Sequence, residues 1–342
     1  MHSPQKGRVT LKEIAEICHC SSNTVSRALR NDGYMAEGTR KRILTVAKQL
    51  GYVRNSAATT LRLGTSKMVA VIVNDIRNPY YTNMVIDIDK RLAENGYSMS
   101  LLCTHVDEAL AGQMIRQAIS QAYDGILFSP LNNPDHIHLL ENSGIPFVML
   151  DCWVDGVTAD VASINDQEGG YLVTKHLLDL GHRNIAYFAG PNVNSSQRER
   201  FAGIQRALSE TEIPVTDLHI IPWERMRMNP SPEAIVELVQ TLGCTAIIAF
   251  NDVLGYHCLN ALTAAGYSIP RDVSLVGFDA IRRHNQYLPP LTSLSFKDDK
   301  TADVAVDMLL RRMQQPAYPY EHAMLPVAIV DGGTTGPAPE LH

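Results

Sequence analysis

Two sets of polar residues in this chain have the types and spacing to recognise other molecules. The first is Ser21, Ser22, Asn23 and Thr24 followed by Ser26 and Arg27, interleaved with Val25, Ala28 and Leu29 at helical spacing. Asn pairs bidentately with adenine, Arg with guanine, and Ser or Thr with several bases. Such a face reads base edges, or it is the solvated side of an ordinary helical domain. The second set is scattered, and its members follow apolar runs. Asn74, Asp75, Asn78, Tyr80 and Tyr81 come after Val69–Val73, Ser129 after Phe128, and Asp151 after Leu150. Asn251 and Asp252 come after Phe250, Asp279 after Phe278, and Arg198 and Arg200 in the stretch that follows Phe188. Carboxylates, amides, an arginine and aromatics gathered in one cleft suit a small polyhydroxylated or heterocyclic ligand. Taken singly, each could equally cap a following helix.

Bond-making chemistry is not indicated. The chain has no Gly-rich phosphate loop, no GxSxG and no HExxH. His136-Ile-His138 lacks companions at metal-ligand spacing and is expected at the surface. Neither a metal nor a cofactor is expected, and an enzyme is disfavoured. The six cysteines are scattered without CxxC or zinc spacing and read as reduced core residues.

The first set needs a small helical framework. Thr10-Leu-Lys-Glu13 has the form of a capping box, which starts a helix over Leu11 to about Ile17. Ser21 or Ser22 caps a second helix. A third spans roughly Glu37 to Leu50, with Ile43, Leu44, Ala47 and Leu50 as its expected buried stripe and Gly51 as a left-handed end. Three short helices in this order describe a helix-turn-helix. The basic stretch Arg54–Arg62 follows, where Asn55 could cap a further helix with Ala57 and Ala58 on a slim face. Leu61 there is either linker packing or a wedge for the minor groove. The second set needs strands. From Met68 onward, buried apolar runs alternate with helical segments in two successive series, which gives two Rossmann-like lobes with parallel sheets.

Charge divides the chain in the same way. Residues 1–64 hold eleven Lys/Arg against four Asp/Glu, a balance of +7, so the remainder carries −13 of the net −6. A basic module on an acidic body suits nucleic-acid binding by the module alone. No run reaches the ~18 apolar residues of a membrane span, and MHSPQKGR lacks the apolar core of a secretory signal, so a cytoplasmic protein is expected.

Specific strings carry a resemblance. Val9-Thr-Leu-Lys-Glu-Ile-Ala15, Thr24-Val-Ser-Arg27, Leu50-Gly-Tyr52 and Asn55, Ala58 and Leu61 resemble the headpiece and hinge of the lactose/galactose repressor (LacI/GalR) family. In the body, Asn78-Pro-Tyr-Tyr81, Gly181-His-Arg183, Arg200-Phe-Ala-Gly203, Asn251-Asp252, Gly277-Phe-Asp279 and Pro289-Pro-Leu-Thr292 are similar to the same family. The resemblance implies a homodimer on a palindromic double-stranded DNA operator. Ser22 and Asn23 would select sequence, while Arg27 and Asn55 fall at more constant positions and Leu61 would be the wedge. Thr10, Ser21, Thr24, Ser26, Ala58 and Arg62 complete the candidate DNA-contacting set. It also implies a periplasmic-binding-protein-like, two-lobed core in which Arg200 and Asp279 hold a small effector. Trp223 would stack on the ligand ring, and Phe296 and Asp298 would add cleft contacts. A sugar or sugar derivative is expected, with a purine or other metabolite as the alternative. A transport protein or carbohydrate enzyme on the same lobes is the rival from another class.

The expected divisions are a DNA-binding domain over 1–54, a hinge helix and linker over 55–66, and a core over 67–330. Within the core, an N-subdomain takes 67–163 plus 293–325 and a C-subdomain 164–292. A flexible tail follows over 331–342. Departures from the family pattern are Ala36 for a hydroxyl cap, Thr59 for an Arg, Ile164 for an Asp and Ala280 for a second acid. No heptad helix ends the chain, which argues against a coiled-coil tetramer.

Overall fold

The computed structural model describes residues 9–53, 64–211, 218–226, 231–283, 286–296 and 300–340. Residues 1–66 and 67–342 form two separate units. In the first, α1 spans Leu11–Ile17, α2 Ser22–Arg30 and α3 Glu37–Gln49. Thr10 closes the capping box: its hydroxyl accepts from the Glu13 N–H at 3.3 Å, and the Glu13 carboxylate accepts from the Thr10 N–H at 2.6 Å. Ser21 starts α2 by accepting from the Thr24 N–H at 3.1 Å, and Ala36 gives α3 no side-chain cap. Gly51 turns the chain with φ +66°.

Ile14, Ala15, Cys18, Val25, Ala28, Ile43 and Ala47 form the core of this unit. The stripe expected on α3 is narrower than its spacing suggested, because Leu44 and Leu50 are 44% and 37% exposed. Two short helices cover only the face on which Ile43 and Ala47 stack four residues apart, and Leu44 lies about 100° round the helix from Ile43. Arg42 donates to the Cys18 carbonyl at 2.8 Å, tying α3 to the end of α1.

The second unit contains two six-stranded sheets of like order. The first holds β1 (Met68–Val73), β2 (Ser98–Cys103), β3 (Gly125–Phe128), β4 (Phe147–Leu150), β5 (Val161–Ile164) and β11 (His322–Leu325), in the order β11-β5-β4-β3-β1-β2, all parallel. The second holds β6 (Ile185–Phe188), β7 (Leu218–Ile221), β8 (Ala246–Ala249), β9 (Ser274–Phe278), β10 (Thr292–Phe296) and β12 (Val327–Val330). Its order is β12-β10-β9-β8-β6-β7, parallel except where β12 meets β10. The apolar runs at β1, β3, β4, β6, β8 and β9 are buried because crossover helices cover both faces. Cys18, Cys152, Cys244 and Cys258 are buried and Cys20 and Cys103 half-buried, all six as free thiols.

The chain passes between the lobes three times. It leaves the first after β5, returns from β10 through α12 (Thr301–Gln314), and crosses again between β11 and β12, where Pro326 alone intervenes. Because β10 pairs with β9, residues 293–296 belong to the second lobe rather than the first, where they had been expected. The tail was expected to be flexible, yet its described residues, 331–340, are stitched along the second lobe. The Thr334 carbonyl accepts from the Leu275 N–H at 2.8 Å, its hydroxyl accepts from the Thr292 N–H at 2.8 Å, and Ala338 donates to the Leu180 carbonyl at 2.8 Å. Small residues and threonines allow this close backbone approach, which the lack of an apolar period concealed.

Candidate functional site

The candidate recognition face lies on α2. Val25 and Ala28 are buried, while Ser22 and Asn23 are exposed at the start of the helix and Ser26 and Arg27 are half-buried. The hydroxyls of Thr10 and Ser21 serve as caps, and Thr24 shares a 2.8 Å hydrogen bond with Ser21, so these three build the frame around the exposed pair. Arg27 donates to the Tyr34 carbonyl at 3.5 Å and lies over Gly33, where a Cβ would come within 2.4 Å of the guanidinium. The expectations for Asn55, Ala58, Leu61 and Arg62, and for a hinge helix, lie outside the described residues.

The second candidate site lies at the carboxyl ends of the strands of both lobes, where open α/β sheets bind ligands. From the first lobe, α4 (Pro79–Glu94) begins at Asn78, whose side chain accepts from the Tyr80 N–H at 3.0 Å. This cap holds Tyr80 so that its hydroxyl donates to Asp151 at 2.7 Å. Behind them, Asn74 donates to Ser129 at 3.1 Å and to the Tyr81 hydroxyl at 3.4 Å, and accepts from Thr104 at 3.0 Å. From the second lobe, α7 (Asp166–Asp179) and α8 (Ser195–Glu210) meet so closely that a Cβ on Gly170 would lie 2.0 Å from the Arg200 carbonyl. A Cβ on Gly203 would lie 2.0 Å from that of Gln167. This approach fixes Arg200, which donates from Nε to Asp166 at 2.7 Å and from a terminal nitrogen to the Phe250 carbonyl. The guanidinium lies over the rings of Phe250 and Phe278, at 4.7 and 4.4 Å, and its other terminal nitrogen is 3.7 Å from Asp279.

Asp151 and Asp279 occupy matching places, each the first residue after a strand, with φ +65° and +96°. Non-glycine residues hold such angles only where the surroundings impose them, at a cost of about 1–3 kcal/mol, and these residues cluster at ligand clamps. Burial pushes the Asp151 carboxyl up to about 7; the neighbouring Asp166 adds to this, and the Tyr80 hydroxyl and Arg200 oppose it. Asp279 is pushed up to about 6, again chiefly by burial, against the pull of Arg200 and of a hydrogen bond from Asn78 across the cleft. Asp166 is raised by burial despite its contact with Arg200. Asp252 is also raised well above its usual range, but it serves the second lobe internally, accepting from the Ser293 hydroxyl at 2.6 Å and the Ile281 N–H at 2.9 Å.

Asn78, Tyr80, Asp151, Arg200 and Asp279 therefore meet in one network, with Tyr81 and Ser129 joined to Asn74 behind it. Asn251 caps α11 (Asp252–Ala264) by accepting from the Leu254 N–H at 3.0 Å. Trp223 opens the short helix α9 (Trp223–Met226) and Phe296 ends β10, but the contacts expected of their side chains, and Asp298 altogether, lie outside the described residues. Ile164 is buried and apolar, and the carboxylate comes instead from Asp166, two residues on, which sequence reasoning missed. The available signal was weak: Asp166 comes second after β5, behind the cap Asn165, in the first turn of α7. His136 is 7% exposed, contrary to the surface position expected, because α6 (Pro134–Ser143) turns His136, Ile137 and Leu140 inward; His138 faces outward.

A helical DNA-reading face attached to a two-lobed ligand-binding core defines a ligand-responsive regulator, and family comparison agrees. The model of bacterial regulatory proteins of the lacI family matches residues 10–55, and that of the periplasmic binding protein-like domain matches residues 174–335. The chain belongs to the LacI family of DNA-binding transcription regulators. Among its relatives, the HTH-type transcriptional regulator DegA of Bacillus subtilis is 30% identical over 84% of this chain and 86% of its own length. The lac repressor dimer bound to operator and the anti-inducer ONPF is 26% identical, with a TM-score of 0.82, over 96% of this chain and 99% of that one. A LacI family regulator from Enterococcus faecium with bound ribose is 28% identical, with a TM-score of 0.70, over 79% of this chain and 99% of that one. Among the described residues, no helix is long and apolar enough to cross a membrane.

Proposed function

We propose that this protein is a cytoplasmic repressor that binds a palindromic operator as a homodimer and responds to a small sugar or sugar derivative in the interlobe cleft. The supporting observation is the two-sided character of α2: Val25 and Ala28 are buried while Ser22 and Asn23 stand exposed at its start, the end of a recognition helix that reaches base edges. In this reading residues 1–54 read DNA, residues 55–66 join head to core with Leu61 as a minor-groove wedge, and Arg27, Asn55 and Arg62 contact the backbone. Asn78, Tyr80, Asp151, Arg200 and Asp279 hold the effector, and Trp223, Phe296 and Asp298 add a stacking face and further polar contact.

The mechanism is coupling rather than turnover. Asn78 and Asp279 belong to different lobes and already interact, so a ligand inserted among them changes the angle between lobes. Ligand and operator then alter each other's affinity by the same factor. A sugar is favoured by the density of hydroxyl-directed groups and by the ribose held in the Enterococcus faecium relative. The decisive experiment is in vitro selection of genomic fragments with the purified chain, followed by operator binding with and without a panel of sugars and nucleobases. A palindromic consensus whose occupancy responds to one of the sugars is the expected result. No enriched sequence, or turnover of a sugar by the protein, would overturn the reading.

A further inference from the structure

Among its described residues, the cleft holds more hydrogen-bond acceptors than donors, and it holds them out of water. Asp151, Asp166 and Asp279 surround Arg200; the first two and Arg200 are 6%, 1% and 3% exposed, and the Asp279 side chain is 5% exposed. Among the described residues, three carboxylates against one guanidinium leave this cluster two charges negative when all are ionised.

The arginine is also largely engaged. Its Nε is taken by Asp166 and one terminal nitrogen by the Phe250 carbonyl, the rings of Phe250 and Phe278 lie against the guanidinium, and the remaining nitrogen already faces Asp279. Among the described residues, a phosphate or carboxylate entering here would find no bidentate partner of the kind Arg ordinarily offers. The neutral donors point at acceptors too: the Tyr80 hydroxyl at Asp151, and the Asn74 amide at Ser129 and Tyr81. In contrast, Asp166 Oδ2 is buried without a hydrogen bond of acceptable geometry, although the Ser196 hydroxyl is near enough to favour its charged form. A buried acceptor lacking a donor costs free energy that a ligand donor would recover.

Resting on the assignment of this cleft as the effector site, we propose that the effector is donor-rich and carries a protonated amine, as an amino sugar does, with no phosphate or carboxylate facing Asp151 and Asp279. The ammonium reduces the surplus from two negative charges to one, and its N–H groups supply the donor that Asp166 Oδ2 lacks. Asp166 supports this as well, since it is the charged neighbour that most raises the Asp151 carboxyl, and a nearby cation relieves that repulsion.

The test is thermal-shift titration of the full chain with matched probes: glucosamine, galactosamine and mannosamine, each beside its parent hexose, the uronic acid and the hexose 6-phosphate, with adenine and hypoxanthine as a separate arm. At least one amino sugar should bind roughly tenfold tighter than its parent, and the anionic members should give no shift. Stabilisation by a uronate or a phosphate above the parent sugar overturns the proposal while leaving the sugar reading intact. Stabilisation by the nucleobases alone overturns the sugar reading. In either arm Asp151→Asn must weaken the bound probe, and unchanged affinity overturns the donor assignment. If no probe shifts the parent, the ligand-free Asp151→Asn protein decides. It should melt higher than the parent at pH 8, and a lower melting temperature would show that the carboxylate is not in surplus.

Discussion

On α2, packing and proposed recognition are divided between faces of one nine-residue helix: Val25 and Ala28 face the core, and Ser22 and Asn23 face solvent. Around Arg200 no such division exists. The same guanidinium is 3% exposed, stacks on two rings, pairs with Asp166 and faces Asp279. A surface that reads a large external partner can leave its polar groups to water until the partner arrives. A cleft for a small ligand must hold its polar groups desolvated and mutually supported, so recognition and stability there reside in the same atoms. Substitutions in the two regions should consequently differ in kind.

The largest effect is expected from Arg200→Ala, which strands Asp166 and Asp279 as buried unpaired charges. The loss should be about 3–5 kcal/mol, read by urea denaturation of the ligand-free protein. If this variant were as stable as one altered on α2, the contrast between the regions would fail. Next is pH. The folded Asp151 and Asp279 carboxyls, at about 7 and 6, lie above the ordinary 3.8, so each binds its proton more tightly in the folded state. Their contribution is full below about pH 4 and is lost as pH rises through about 6 to 7. Melting temperatures of the parent should fall across that window relative to Asp151→Asn, and an identical slope in the two proteins would remove the effect.

Gly203→Val should cost about 1–3 kcal/mol or more, by pushing α8 off α7. Because this moves Arg200, it should abolish the effector response even where the protein remains folded. Asn23→Ala should leave the unfolding free energy within about 0.5 kcal/mol of the parent but change half-site discrimination by about 1–3 kcal/mol at one base pair, measured by competition binding with variant operators. The smallest effect is Ser21→Ala, about 1 kcal/mol from the lost cap, confined to the head and visible as faster amide exchange in α2.

Legibility in the sequence follows the same contrast. The head could be read because its caps and periods are local: Thr10 and Glu13 are three residues apart, and Val25 and Ala28 likewise. Leu44 and Leu50 misled because a helical period gives the direction of a side chain but not how wide a neighbour covers it. In the core, the strongly apolar strands β1, β3, β4, β6, β8 and β9 declared themselves, whereas β5, β7, β10 and β11 mix polar with apolar residues and β12 is apolar but half-exposed. Arg200 and Asp279 were found through strand ends and family strings. Asp166 was not, since an acid in the first turn of a helix has a sufficient local explanation in the helix dipole. Its pairing with Arg200, 34 residues on, depends on the glycine contact between α7 and α8, which no local pattern encodes.

The three passages of the chain between the lobes have a mechanical consequence. Two bodies joined by one linker can tumble, whereas two bodies tied by three connections, the last with Pro326 alone between its strands, are left with few soft motions. Twisting and opening about the tied side remain easy, and sliding or separation does not. The core thus works as a stiff torsion joint, and what a ligand transmits is an angle rather than a loosening.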